Sequence, residues 1–413
     1  MSESEESRRS ILLTRSGIAL IPMQITSGFV LSLFFTFIPL YVYDLYGFVA
    51  SSLCRTLVAL TAIILSWLWG WVSDRFSSKK NLLAISMLGQ SGFILLFALS
   101  QIFTEGELIH LVFLLLTYTL TSLFTAIFNP VRNAAITLMA KEEDRAESIG
   151  LFFLFSSAGW GLGGFLLGYW WDIWSLSLTV SVIAFLHIFS LFFFFALFQD
   201  IDVKTEQPVR RGLLKGFKDM DSVLMYVALV VLLVSVGRGI FLPIFQIKMY
   251  IVYGKESLWI GIISGLSGFG SAIGAYGYGK LTKRVGDSTA IRLGIIGNLA
   301  LFLLGTLNHP LTVAIVWIFP VWPLIGVSSV SLAAAYSKDT ERGEAQGVVE
   351  SARSFSGLFS VIGGIAALLI GAGDDVNMLT PIFLTMLIFP IIAYLPLRRS
   401  QQIAAEQSTY SNI

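Results

Sequence analysis

The chain has 413 residues, of which 55% fall in the apolar set AVILMFWYC, 13% are charged and 37 are glycine. With glycine counted, the apolar share is roughly 64%, against about 45–50% for soluble domains, which excludes disorder, a disulfide scaffold and an ordinary two-domain soluble enzyme. The 27 basic and 26 acidic residues leave a formal charge of +1, so no global bias points to nucleic acid.

The remaining fold class is an all-α polytopic membrane protein. The N-terminal MSESEESRRS is charged and the first apolar run is already a full span, so no signal peptide is expected. A helix crossing the hydrocarbon core needs about 20 apolar residues. Breaks at charged or Gly/Pro/Asn-rich stretches give twelve spans. The first six lie at 17–43, 51–73, 81–103, 109–139, 147–171 and 176–198. The second six lie at 222–250, 258–279, 289–307, 311–336, 345–371 and 377–397. The longest polar interruption, 199–221, divides the chain into an N-terminal six-helix bundle (1–198), a linker and a C-terminal six-helix bundle (222–413). Within the linker, Leu213, Leu214 and Phe217 stand among basic residues, so Val209–Met220 reads either as an amphipathic segment along the membrane or as a solvated connection.

Lysine and arginine set the orientation. With both termini cytoplasmic, 21 basic residues fall on the inner side and three, Arg55, Lys248 and Lys255, on the outer side. The last three, Arg132, Arg238 and Arg353, fall within spans. An odd number of helices in either half would scramble this asymmetry. The expected location is therefore a cell membrane, multi-pass, with both termini inside.

Three short matches link the halves in the same order. FIPLY at Phe37–Tyr41 parallels FLPIF at Phe241–Phe245. The Gly70–Arg75 segment parallels Gly279–Arg284, and Asp144–Gly150 parallels Glu341–Gly347. The offsets are 204, 209 and 197 residues. Two like halves suggest a transporter with its site between them, the halves rocking to alternate access.

Between spans two and three runs Gly70-Trp-Val-Ser-Asp74-Arg75-Phe-Ser-Ser-Lys79-Lys80. It resembles the signature loop of the Major Facilitator Superfamily: glycine, three residues, Asp-Arg, then basic residues. The resemblance implies a twelve-helix fold of two pseudo-symmetric six-helix bundles and a gating role for Gly70, Asp74 and Arg75. Lys283 and Arg284 in the second copy, and Arg145 and Arg342 in the other repeated segment, are expected to join that gate. Ser77 replaces the family's glycine after Asp-Arg, and Lys283 stands where Asp would. In span five, Gly150, Gly159, Gly163 and Gly168 resemble the glycine-rich motif of the family's antiporters, although Gly164 replaces its proline and Leu167 another glycine. Ordinary small-residue packing explains the same pattern.

Ionisable groups inside spans are costly and are functional candidates for that reason. Arg238 stands between Gly237 and Gly239, five residues before Pro243, where a loosened helix faces the protein interior. It either holds an anionic or polar group of the substrate or pairs with Glu350 or backbone carbonyls. Glu350 and Arg353 are one turn apart in span eleven, and Glu350 is the most embedded acid, hence the expected proton carrier; an intrahelical ion pair is the alternative. His187, mid-span in six, either carries a proton or bonds to a neighbour. Arg132 is expected to pair with Asp74, Glu142 or Glu147. Asp44 and Arg55 are expected to pair across the outer loop.

Gln24 in span one and Trp322 at the Pro320–Pro323 kink of span ten complete the expected substrate contacts with Arg238. The absence of an acid inside span one departs from proton-coupled drug antiporters of the family. No GxxxxGK[ST] loop occurs, so primary pumping by ATP is not expected. Cys54 is the lone cysteine and His110, His187 and His309 are scattered, so no metal site or disulfide is expected. The reading is a secondary active transporter, not an enzyme, moving a small solute by proton-coupled efflux of an amphipathic compound. Uptake or exchange of a small organic anion held by Arg238 is the alternative. The expected partners are the bilayer, the small-molecule substrate and protons, with no cofactor and no nucleic acid, for a chain acting as a monomer.

Overall fold

The computed structural model describes residues 14–75, 78–139, 145–199, 221–336 and 342–411. The described residues are helical apart from short turns, and their helices follow the expected spans closely. Span one starts at Arg15–Ser32, where Thr14 caps Gly17 N, and continues through a π-helical turn at Leu33–Phe37. It then runs with little interruption into span two, because the helix Ile38–Arg75 is broken only at Gly47, whose φ of 78° and ψ of −169° suit glycine alone. The expected polar loop between these spans is thus reduced to a single-residue break. Spans three to six follow as Lys79–Ala98, Leu108–Met139, Arg145–Trp171 and Leu176–Leu197. Spans seven to nine are Ser222–Val252, Ser257–Val285 and Asp287–Leu304.

Span ten is split into Pro310–Ile318 and Trp322–Ala335 at the Pro320–Pro323 kink, because neither proline can supply an amide to the preceding turn. Span eleven runs Arg342–Phe355, a 3-10 turn at Ser356–Phe359 and Ser360–Leu369. Span twelve starts in the turn Val376–Leu379 and runs on through Ile388–Ser411. Eleven of these stretches are long and apolar enough to cross a bilayer, the first of them, Arg15–Ile63, being spans one and two counted together across Gly47. Large apolar side chains such as Phe192 (69% exposed), Ile273 (75%) and Leu369 (80%) face outward, where only lipid removes the cost of exposure. The linker's Val209–Met220 lies outside the described residues.

The packing within the first six spans recurs in the second six. Span one lies against spans five and six, and span three against four and six. Span seven lies against spans eleven and twelve, and span nine against ten and twelve. This is the same neighbour pattern shifted by six, and it gives the three sequence matches a structural counterpart. One apolar core joins Leu20, Leu83, Phe128, Phe152 and Phe194 of the first set, and another joins Val227, Ile291, Val349 and Leu397 of the second.

The compact units do not follow the linker. The first holds 1–46, 61–206 and 256–272; the second holds 47–60, 207–255 and 273–413. Half of span two is therefore grouped with second-half helices, and half of span eight with first-half helices. Glycine explains both exchanges. In the first unit, a Cβ on Gly168 would lie 2.6 Å from Gly261 Cα, and one on Gly268 would lie 2.6 Å from Gly161 N. In the second unit, a Cβ on Gly364 would lie 2.7 Å from Phe48 O, and one on Gly357 would lie 2.5 Å from Ala59 Cβ. Backbones this close leave no room for any side chain.

Candidate functional site

The first unit holds one polar interior around span one. Gln24 is fully buried and accepts a hydrogen bond from Arg132 Nη1 at 3.2 Å, while the Arg132 guanidinium lies 5.6 Å from the Phe128 ring centre. The expected carboxylates for Arg132, Asp74, Glu142 and Glu147, have side chains outside the described residues; its partner Gln24 was not foreseen. Half a turn on, Thr26 Oγ1 lies 3.0 Å from His187 Nδ1 and donates to Ser190 Oγ at 3.0 Å. His187 is fully buried, with Nε2 unpartnered among the described residues. The glycines of span five divide between two faces here. Gly159 and Gly163 lie against Ile25 and Phe29 of span one, and Gly161, Gly164 and Gly168 lie against span eight. The sequence pattern at 150, 159, 163 and 168 had merged these two faces into one motif.

The second unit holds Arg55, Arg238, Lys248 and Arg353. Arg238 is partly buried in span seven, and makes no hydrogen bond or ion pair among the described residues. Its flanking glycines are both packing positions. A Cβ on Gly237 would lie 3.1 Å from Phe389 Cβ, and one on Gly239 would lie 2.3 Å from Ser356 O. Ser360 Oγ donates to Gly239 O at 2.9 Å, so the backbone beside Arg238 is clamped to span eleven just past Arg353. Two further cations, Arg353 and Arg55, act on Arg238 electrostatically. The span-seven backbone beside Arg238 thus meets span eleven at Ser356 and Ser360, within two turns of Arg353.

Arg55 corrects the loop assignment made from charge alone. It sits two turns into span two and its Nη2 donates to Gln246 Oε1 of span seven at 2.7 Å. Gln246 is itself buried and was not singled out in the sequence. Lys248, also assigned to the outer loops, is fully buried within span seven. Its Nζ donates to Gly305 O at 2.6 Å, at the C-terminal end of span nine, and lies 5.1 Å from the Phe383 ring centre. A helix C-terminus offers unpaired carbonyls and the negative end of the helix dipole, which suits a lysine. Lys255 remains in the turn after span seven, paired with Asp374 at 2.9 Å.

The described acids Asp44, Glu105, Glu107, Asp172, Asp221, Glu256, Asp287, Asp374, Asp375 and Glu406 all lie at span ends or in turns. Among described side chains the span interiors therefore carry cations and no carboxylate. The side chains of Glu350, Trp322, Gly70, Asp74, Arg75, Arg145 and Arg342 lie outside the described residues, though all seven positions are helical. Lys283 and Arg284 are exposed at the end of span eight.

The profile of the Major Facilitator Superfamily matches residues 20–361. No curated protein matches the chain. Among solved structures, a mutant of the nucleoside transporter NupG is similar with a TM-score of 0.72 at 13% identity, covering 93% of this chain and 99% of that one. A bacterial homolog of the human lysosomal transporter Spinster, inward-facing and unoccupied, gives 0.71 at 12% identity over 94% and 97%. A mutant of the peptide transporter POT gives 0.68 at 12% identity over 93% and 94%. At these identities the likeness is one of fold.

Proposed function

The chain belongs to the Major Facilitator Superfamily and is a secondary transporter of a small solute rather than an enzyme; from that premise we propose that the solute is an organic anion. The observation that carries this reading is Arg238, a span-seven cation with no partner among the described residues, in span interiors that hold no described carboxylate. A cation of this kind is stabilised by an anion when the substrate is bound, and a guanidinium grips a carboxylate or phosphate through two parallel hydrogen bonds. Transport by alternating access then needs the two halves to part on one side and close on the other. The glycine contacts of span five with span eight, and of span eleven with span two, are surfaces able to do so without rearranging side chains. Gly70, Asp74, Arg75, Arg145, Lys283, Arg284 and Arg342 are proposed to secure the opposite side, which the positive-inside pattern makes cytoplasmic, with both termini, in a monomer of the cell membrane.

The test is uptake into proteoliposomes preloaded with candidate anions. Arg238→Ala should raise the KM for anions by at least about tenfold, the loss of one charge-assisted pair, and leave cationic and neutral solutes unaffected. Equal effects on all three classes would make Arg238 structural.

Proton-coupled efflux of an amphipathic compound is the second reading. It draws on His187, whose buried Nε2 lacks a partner among the described residues, and on Glu350 and Arg353 as the carboxyl that carries the proton and the cation beside it. An imposed pH gradient separates the two. Flux that does not respond to it, in wild type as in Glu350→Gln, excludes the coupling.

A further inference from the structure

Between Val230 and Tyr250, span seven is buried except at Leu232, Leu233, Ser235, Arg238, Gly239 and Leu242, which are partly open. Successive helical residues turn by about 100°, so all of these but Leu233 fall within an arc of roughly 120°. Leu233 lies on the far side, packed against the second apolar core. Gly239 forms one edge of the open face, where its backbone meets Ser356 and Ser360 of span eleven. What remains is a polar pair one turn apart, Ser235 and Arg238, with Leu232 on its N-terminal side and Leu242 on its C-terminal side. Residues three apart on a helix have Cβ atoms about 5–6 Å apart, and helical side chains tilt toward the N-terminus, which favours Arg238 reaching toward Ser235. Neither residue makes a hydrogen bond among the described residues. Hydroxyls in these helices commonly donate to a carbonyl of their own helix, as Thr119 does to Leu115 O at 2.6 Å and Ser329 to Gly326 O at 3.1 Å. The Ser235 hydroxyl does not.

A guanidinium and a hydroxyl side by side are donors for one anionic group, and the leucines flanking them on this helix are suited only to apolar surface. Lipid tails against this face would leave both donors unpaired, and water alone would leave the leucines wet. We propose that this face of span seven holds an amphipathic anion, with its carboxylate, sulfonate or phosphate on Arg238 and Ser235 and its apolar chain or ring along Leu242 or Leu232. The inference rests on the anion reading above and narrows it to anions with an apolar flank. Arg238 supplies the charge, and Ser235 a second hydrogen bond that fixes the head group. The leucines add affinity by removing apolar surface of the ligand from water.

The experiment measures binding to the purified full-length chain by thermal stabilisation, since a ligand of the folded state raises its melting temperature by mass action. The probes are hexanoate, acetate and the neutral hexanamide, compared at about pH 8, where both carboxylates are ionised. Hexanoate should bind at least about tenfold more tightly than acetate, well under half of what full burial of its longer chain would give. It should also bind about tenfold more tightly than hexanamide, the value of one charge-assisted pair. Arg238→Gln should weaken hexanoate and acetate alike and remove the preference over hexanamide. Ser235→Ala should weaken both carboxylates by about threefold or more, and Ser235→Thr, which keeps the hydroxyl, should restore them. At least one of Leu242→Ala and Leu232→Ala should cut the preference for hexanoate over acetate to about threefold or less while changing acetate little. Equal binding of hexanoate and acetate, with Arg238→Gln weakening each, overturns the apolar flank but leaves the anion reading standing. A preference untouched by both leucine variants, or carboxylate binding untouched by Ser235→Ala, also overturns the site. Hexanamide binding as tightly as hexanoate, or no binding of any of the probes, overturns the site and the anion reading together.

Discussion

Gly364 offers the most direct test of the contact between span eleven and span two. Its ideal Cβ would lie 2.7 Å from Phe48 O and 2.7 Å from Ser52 Oγ, both on the segment of span two that groups with the second-half helices. Ordinary contacts sit near 3.4 Å or beyond, so Gly364→Ala forces the two helices apart by roughly 0.7 Å, and Gly364→Val by more. Overpacking of this kind costs about 1–3 kcal/mol, and most of it falls on the arrangement in which these helices touch. A bias of that size changes the ratio of two conformations by roughly 5- to 150-fold. The lone cysteine supplies the readout, because Cys54 lies in this segment, is fully buried and has no competing thiol in the chain. Its rate of alkylation by a small maleimide should rise from wild type to Gly364→Ala to Gly364→Val. Gly92→Ala, a span-three position with nothing within 4 Å of the new methyl, should leave the rate unchanged. If the folded Gly364→Val protein labels within about twofold of wild type, the contact does not separate and the reasoning from helix proximity to access fails.

Two predictions concern the buried cations. Lys248→Glu places a carboxylate against Gly305 O and the face of Phe383, and should lower thermal stability by roughly 3 kcal/mol or more; Lys248→Met, which only orphans the carbonyl, should cost about 1–3 kcal/mol in the same thermal melt. Arg238→Leu should have the opposite sign. With no hydrogen bond or ion pair to lose among the described residues, the variant should melt at or above the wild-type temperature while losing anion transport, and a clear drop in melting temperature would show that Arg238 holds structure.

The spans were legible because a bilayer imposes a simple rule: about 20 apolar residues, then a break. The breaks at 199–221 and at Pro320–Pro323 could be read for the same reason, since charge and proline interrupt a buried helix whatever surrounds it. The same rule misplaced Arg55 and Lys248. Each stands near a span end, where charge was taken to mean solvent, but Gln246 and the Gly305 carbonyl receive them inside. Such partners lie 191 and 57 residues away and leave no periodic trace in the sequence. Glycine gave a similar half-truth. Its abundance in span five announced close helix contacts, but the separation into a face toward span one and a face toward span eight follows from which backbone lies opposite. Arg238 was conspicuous from its neighbours alone. The contacts of Ser356–Gly357 with span seven and span two, which fix the backbone beside it, were not, because they depend on which helices lie opposite.

The interior cations sort by what the fold does for them. Lys248 has a helix-end carbonyl and an aromatic face, Arg132 has Gln24 and the Phe128 ring, and Arg55 has Gln246. Each of these arrangements offsets the cost of taking a charge out of water. Arg238 receives nothing comparable from the described residues, although Ser356 and Ser360 of span eleven stand against the adjacent Gly239. On insertion scales a charge near a helix centre costs about 2.5–3.5 kcal/mol, comparable with removing a large side chain from a core. Among the described residues the neighbouring polar groups are spent on Gly239 and Arg55 instead, and that cost is left standing. On the anion reading proposed above, that cost is recovered when an anion arrives, because the interaction that the described residues do not supply is the one a substrate anion provides.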